Sequence, residues 1–161
     1  WWMFINNDAY FEPGVLARYI ERIEAAKGPL LITDGYTVGF LNRAFVDTVG
    51  LFDEWSFYPI YFDDTDYSRR AFLAGATVEH DKFILEGDLG ETDVPSLTTK
   101  SDPALSLANN RTWQLNEAAY VAKWGGLPGH ETFTSPWNDP AIPIWATRPS
   151  IEGRQQRLWR K

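Results

Sequence analysis

Residues 61–75 read YFDDTDYSRRAFLAG, and this stretch decides how the rest of the chain is arranged. An apolar run that is mostly aromatic and β-branched occupies residues 57–62, and residues 65–74 contain neither Gly nor Pro. Because Tyr67, Ala71 and Ala74 recur at helical spacing, the pattern predicts a helix over residues 65–74. Gly75 suits the left-handed position that ends a helix.

Three acids cluster where this helix begins. Asp63 and Asp64 fall at or just before its N-terminus, where backbone donors and the helix dipole stabilise an ionised carboxylate that is able to accept a proton. Asp66 is spaced to pair with Arg69 or Arg70. Another interpretation stays open, in which one acid caps the helix, one pairs with an arginine and the third is solvated.

Composition limits the class of protein. A chain of 161 residues with 44% hydrophobic and 16% aromatic residues suits one domain with a real core. Its net charge of −7 argues against nucleic acid as a partner, and the absence of cysteine excludes disulfides and a thiolate zinc site. No apolar stretch approaches the ~20 residues of a transmembrane segment, and no signal peptide is visible.

The chain opens on the apolar run WWMFI, residues 1–5, which predicts a strand covered on both faces. Without an initiator Met at this point, we expect the true beginning to lie upstream.

The run ends in Asn6-Asn7-Asp8, at the end of a strand, which is where ligands bind in open α/β sheets. Asn6 and Asp8 would point the same way on extended backbone and share a metal ion or a diphosphate. A plain turn after a strand is the alternative.

Further elements follow in order. The sequence predicts a helix with the apolar stripe Leu16, Tyr19, Ile20 and Ile23, a short buried strand at residues 30–32, and a short helix that ends near Gly50. Residues 103–122 have a helical pattern, and residues 87–102 predict a loop over an acceptor or a disordered segment. Trp124 follows the last helix, where either a sugar-binding face or core packing would explain it.

Several short motifs together resemble a known family. They are Asn6-Asn7-Asp8, the GFLNR of residues 39–43, the GLFDE of residues 50–54, and YFDDTD with Arg70. In this order and spacing they are similar to the family 2 inverting glycosyltransferases, above all to the rhamnosyl- and galactofuranosyl-transferase branch. The likeness runs from Trp1 to about Gly90.

The resemblance implies a GT-A fold and the transfer of a sugar from a nucleotide-sugar donor to a carbohydrate or glycan acceptor with inversion. Asp64 would act as general base and Asp63 would help to place the acceptor. Asn6, Asp8 and Arg70 would bind the donor, and Asp8 would hold Mn²⁺ or Mg²⁺ on the diphosphate.

Two departures from the family stand out. Family members carry roughly 90 to 100 further residues before the metal motif, about a small domain, and these form most of the nucleotide pocket. We therefore expect an upstream nucleotide-binding segment or a partner chain. The family often supplies a His as a later metal ligand, and Asp88 or Glu86 takes that place here, since hard cations accept carboxylates.

The sequence thus predicts an α/β fold, the C-terminal part of a Rossmann-like GT-A domain with a mixed sheet flanked by helices. Residues 1–130 would form the catalytic, acceptor-side domain, and residues 131–161 an extended, Pro/Trp-rich and basic tail. The predicted location is cytoplasmic. The basic end from Arg148 is available to an acidic partner or a membrane surface, and a solvated end is the alternative. The alternative function is a non-catalytic, carbohydrate-binding or assembly module.

Overall fold

The computed structural model describes residues 1–5, 9–11, 13–32, 36, 38–58, 61–80, 91–93 and 102–148. The chain is α/β and forms two compact units. The first comprises residues 1–48 and 74–97, and the second comprises residues 49–73 and 98–161.

A small mixed sheet organises the first unit. In chain order its described elements are β1 (Trp2–Ile5), β2 (Ala9–Phe11), α1 (Val15–Glu24), β3 (Leu30–Ile32), β4 (Val38–Leu41), α2 (Arg43–Val49), β5 (Val78–His80) and β6 (Glu91–Asp93). Four strands lie in the order β1-β4-β3-β5, where β3 and β5 are parallel and the other pairs antiparallel. β2 and β6 form a separate antiparallel pair, so residues 91–93 of the predicted loop are a strand.

The core of this unit lies between α1 and the sheet. It consists of Val15 and Tyr19 from α1 and Leu31, Val38 and Phe40 from the sheet. All three residues of β3 are buried, as predicted for residues 30–32. Leu16 and Ile20, which were predicted to belong to the packed stripe, are 43% and 52% exposed. Tyr19 of the predicted stripe is buried, and Ile23 packs partly buried against the core. Val15 joins them, so the packed face of α1 is formed by Val15, Tyr19 and Ile23.

The prediction that residues 1–5 are covered on both faces is wrong for this structure, although the strand itself forms. β1 is an edge strand with β4 as its only neighbour in the four-stranded sheet. Trp1, Trp2, Met3 and Ile5 are between 38% and 47% exposed. An apolar run therefore indicated a strand here without showing how much of it is buried.

Two α-helices are present in the described part of the second unit. They are α3 (Asp63–Leu73) and α4 (Pro103–Trp124), followed by a 3₁₀ turn at Pro136–Asn138. α2 (Arg43–Val49) ends at the boundary between the units. Phe57, Phe62, Tyr120 and Trp124 form the core, with Tyr61, Leu73 and Ala119 packed against it. The helices predicted over residues 65–74 and 103–122 are thus confirmed within two residues at each end.

Two glycines end helices as their positions require. Gly75 follows α3 with φ +69°, as predicted, and Gly50 follows α2 with φ +80°. A Cβ at Gly50 would lie 2.8 Å from Cβ of Trp145, so the chain segment that carries Trp145 packs directly on this turn.

More than half of the described residues after 130 are exposed. Residues 131–148 belong to the second unit, and the 3₁₀ turn at Pro136–Asn138 contacts α4. The division into a domain of residues 1–130 and a tail of residues 131–161 stays a prediction. Within the described ranges, no helix has the length and apolarity to cross a bilayer.

Candidate functional site

The three acids of residues 63–66 lie in the first turn of α3 but in different surroundings. Asp66 is fully buried, whereas Asp63 and Asp64 are partly exposed. Asp64 Oδ1 accepts hydrogen bonds from the Thr65 backbone N–H at 2.6 Å and from Thr65 Oγ1 at 3.2 Å. These contacts orient the Asp64 carboxylate, and no described residue donates a hydrogen bond to its Oδ2. Asp64 is therefore the acid of the three that combines a fixed orientation with a free oxygen.

Asp66 is a structural residue. Its Oδ1 accepts hydrogen bonds from Lys123 Nζ and Trp124 Nε1, each at 2.8 Å, and its Oδ2 accepts one from Arg70 Nε at 2.8 Å. Lys123 Nζ also lies 2.9 Å from Asp53 Oδ2. Two carboxylates and two cations therefore balance their charges inside the second unit, which a buried ionic group requires.

Arg70, a predicted donor-binding residue, belongs to this buried network. Its Nη1 donates to the backbone carbonyls of Val49 and Leu51, which ties α3 to the turn at residues 49–51. Its Nη2 is buried and has no hydrogen-bond partner among the described residues. A diphosphate would reach this group only if surrounding side chains moved. The pairing of Asp66 with Arg70 is confirmed, and the donor-binding role of Arg70 stays a prediction.

Asp63 departs from the expectation that a helix start keeps an acid ionised. Burial raises the pKa of its carboxyl group above the ordinary value, and the adjacent charge of Asp64 raises it further. Backbone donors at the start of α3 lower the pKa, but they do not outweigh burial. Asp63 therefore holds a proton more readily than a solvated aspartate does, which suits a role in positioning better than a role as base.

A cavity of about 390 Å³ opens in front of Asp64. Three parts of the second unit line it: the start of α3, the middle of α4, and the loop after α4. The lining residues are Tyr61, Phe62, Asp64 and Thr65, then Trp113 and Glu117, and then Leu127, Pro128 and His130. The predicted base is thus placed in a cavity with aromatic walls and a second carboxylate.

The aromatic wall is held by a strained turn. Tyr61 and Phe62 both have left-handed backbone, with φ of +76° and +70°. Such residues cost roughly 1–3 kcal/mol each and are concentrated at functional sites. Asn116 Nδ2 donates to the Tyr61 carbonyl at 3.1 Å, which fixes the turn against α4. The turn presents both rings to Trp113, whose ring centroid lies 5.2 Å from that of Tyr61 and 5.1 Å from that of Phe62.

Sequence reasoning missed Trp113, Glu117 and His130 as cavity residues. Trp113 belongs to the helix predicted over residues 103–122, where its apolar side chain gave no indication of a cavity, and it is 49% exposed. The available signal was the spacing of Trp113 and Glu117, which are four residues apart and so share one face of α4. Trp124, for which two interpretations stood open, is fully buried and packs in the core.

Other predicted site residues lie outside the described residues. These are Asn6, Asp8, Glu86 and Asp88, so the convergence of Asp8 with Asp64 stays a prediction. Among the described residues, no three His, Cys, Asp or Glu side chains are grouped closely enough to hold a metal ion. The described part of the chain therefore does not supply a site for Mn²⁺ or Mg²⁺.

A second groove, of about 640 Å³, lies in the first unit between the residues around Gly28, the start of α2 and the turn after Gly75. Neither an acid nor a histidine is among the described residues that line it. The cavity at Asp64 is therefore the stronger candidate for chemistry.

Comparisons with known proteins do not assign a family. No model of a protein family, no curated protein and no solved structure matches the chain. The likeness to family 2 glycosyltransferases rests on the sequence motifs alone.

Proposed function

We propose that this chain forms the acceptor side of an inverting, nucleotide-sugar-dependent glycosyltransferase with a GT-A fold. The observation that carries the proposal is that Asp64, the acid that the motifs indicate as base, lines an aromatic-walled cavity of about 390 Å³. A cavity of this size falls within the range of small-ligand sites. The four-stranded mixed sheet and its helices support an α/β architecture of this kind.

In the proposed reaction, an acceptor hydroxyl binds beside Asp64. Its proton passes to the carboxylate of Asp64 while its oxygen forms a bond to the anomeric carbon of the donor sugar. The bond from that carbon to the nucleoside diphosphate breaks, and the diphosphate leaves with the electron pair. A base positioned in this way contributes about 10²–10⁴-fold to the rate.

Thr65 and Asp63 support this step in different ways. The two hydrogen bonds from Thr65 hold the Asp64 carboxylate in one orientation, so little is lost in reorienting it during the reaction. Asp63, which stands beside Asp64 at the start of α3, is proposed to help to place the acceptor. Asn6, Asp8 and Arg70 are proposed to bind the donor, together with an upstream segment or a partner chain.

The test is a transfer assay with a panel of nucleotide-sugars and glycan acceptors in the presence of Mn²⁺. Asp64→Asn is expected to lower turnover about 10²–10⁴-fold with unchanged thermal stability. Asp47→Asn, which changes an exposed acid of α2, is the matched control and is expected to turn over normally. Normal turnover by Asp64→Asn would refute the assignment of the base.

A second candidate is a carbohydrate-binding module without catalysis. The half-exposed indole of Trp113 in the cavity favours it, because exposed aromatic faces bind sugars without further chemistry. Calorimetry with nucleoside diphosphates and Mn²⁺ separates the two. A transferase binds the nucleotide in a metal-dependent manner, and a simple binding module does not.

A further inference from the structure

The wall of the cavity opposite α3 is formed by one face of α4. Trp113 and Glu117 lie one helical turn apart on that face, and both line the cavity. No described residue hydrogen-bonds to the Glu117 carboxylate, which is therefore available to a ligand. The two side chains provide an aromatic surface and an acceptor of hydrogen bonds at adjacent positions.

Trp113 is fixed although it is exposed. The Tyr61 and Phe62 rings both meet its indole edge-on, each with an interplanar angle of 62°. Edge-to-face pairs are favourable aromatic arrangements, so these two contacts restrain the indole. Since the indole is 49% exposed, about half of its surface is available for a partner.

The charges around the cavity restrict that partner. Asp64 and Glu117 are acids, and His130 is the sole basic side chain among the described lining residues. Lys and Arg, which recognise phosphates and carboxylates, are absent from this described lining. An anionic ligand would be repelled by two carboxylates, whereas hydroxyl groups would donate to them.

We infer that this cavity binds an uncharged sugar ring, which stacks its apolar C–H face on Trp113 and donates hydroxyl hydrogen bonds to Glu117 and Asp64. The inference rests on the proposed function, whose acceptor it specifies as a neutral glycan residue. Trp113 and Glu117 are positioning residues that select the acceptor, and neither takes part in proton transfer.

The test uses two pairs of methyl glycosides, the glucoside with the glucuronide and the galactoside with the galacturonide. The members of each pair differ at C6, which carries a neutral hydroxymethyl group in one and a charged carboxylate in the other. Binding to the full chain is measured by saturation-transfer NMR and by titration. For at least one pair, the neutral sugar is expected to bind at least about tenfold more tightly than the uronic acid, with saturation concentrated on the C–H protons of one face.

Variants locate this binding. Trp113→Ala is expected to weaken binding about tenfold, which corresponds to about 1.4 kcal/mol. Trp113→Phe retains part of the stacking surface and is expected to lose less. Trp2→Ala, which removes a similarly exposed tryptophan from β1, is the matched control and is expected to bind normally. Glu117→Gln is expected to reduce the discrimination against the uronic acids.

The outcomes separate this inference from the proposed function. If wild-type protein transfers sugar and Trp113→Ala and Glu117→Gln leave binding, turnover and KM for the acceptor unchanged, the inference is wrong and the transferase stands. If sugars bind on Trp113 but no donor is ever consumed, the sugar site stands and the transferase falls. Equal or tighter binding of the uronic acids in every pair overturns the inference, and so does the absence of binding by any neutral sugar. Should Trp113→Ala not fold, Trp113→Phe and the NMR measurement on the wild-type chain decide the question.

Discussion

Lys123 Nζ lies 2.8 Å from Asp66 Oδ1, and solvent reaches almost nothing of either side chain. The contact joins the last turn of α4 to the first turn of α3. It removes one of the three clustered acids from any role in a solvent-accessible site. The same turn of α3 therefore anchors the fold through Asp66 and faces a cavity through Asp64.

Replacing Lys123 by Met is expected to be strongly destabilising. The substitution leaves Asp53 and Asp66 buried with Arg70 as the only cation of the network, and breaking such a pair costs about 3–5 kcal/mol. Urea denaturation measures the free energy of unfolding. Lys27→Met, at an exposed position, is the control and is expected to change it by less than about 0.5 kcal/mol. A loss below about 1 kcal/mol for Lys123→Met would show that the network does not form in solution.

The helices could be predicted because their signals are local. Acids mark the first turn of α3, and Gly75 marks its end. Tyr67 and Ala71, which are both fully buried, mark its packed face. These features depend on positions a few residues apart. The pairing of Asp66 with Arg70 could be predicted for the same reason, because the two are one helical turn apart.

The cavity could not be predicted, because its walls come from distant parts of the sequence. Glu117 and Trp113 face Asp64 only once α4 has packed on the turn at Tyr61, and nothing in the pattern of α4 marks that contact. Lys123 was likewise not distinguishable from a solvated lysine at the end of a helix. Its partners Asp53 and Asp66 lie 70 and 57 positions away, respectively, in the sequence.

Tyr120→Phe is expected to lower stability by about 1.5 kcal/mol at neutral pH. Tyr120 Oη donates to Glu131 Oε1, and a hydrogen bond to a charged group is worth about that much. Burial raises the pKa of Glu131, but the hydrogen bond from Tyr120, backbone donors and Arg69 together hold it below its ordinary value of 4.5. Glu131 therefore stabilises the fold above pH 4.5, and this contribution is lost as the pH falls through the lower, folded-state pKa.

The difference between wild type and Tyr120→Phe is thus expected to shrink as the pH is lowered below 4.5. Chemical denaturation at a series of pH values checks this. A difference that stays constant down to full protonation of Glu131 would mean that the hydroxyl acts only by packing.

Asp63→Asn is expected to stabilise the protein at pH 7. Because burial and the charge of Asp64 raise the folded-state pKa of Asp63, ionising this group costs the fold stability at neutral pH. The cost is absent below the ordinary pKa of 3.8 and complete above the folded-state pKa. The advantage of Asp63→Asn should therefore be constant near pH 7 and should disappear as the pH falls toward 3.8. Equal or lower stability of the variant at pH 7 would contradict this, with Asp47→Asn as the control for an exposed acid.

Asp66→Asn and Asp64→Asn are expected to separate structure from function within one turn of α3. Asp66→Asn leaves the buried network with one carboxylate for its two cations, Lys123 and Arg70. The variant should therefore lose about 3 kcal/mol or more in the free energy of unfolding. Asp64→Asn changes a partly exposed group whose carboxylate accepts hydrogen bonds only from Thr65 among the described residues, so its cost should stay within about 0.5 kcal/mol. Thermal and urea denaturation of the two variants in parallel, beside the transfer assay, would test this division. If both lost stability equally, Asp64 would belong to the scaffold, and a loss of transfer in Asp64→Asn would no longer identify a base.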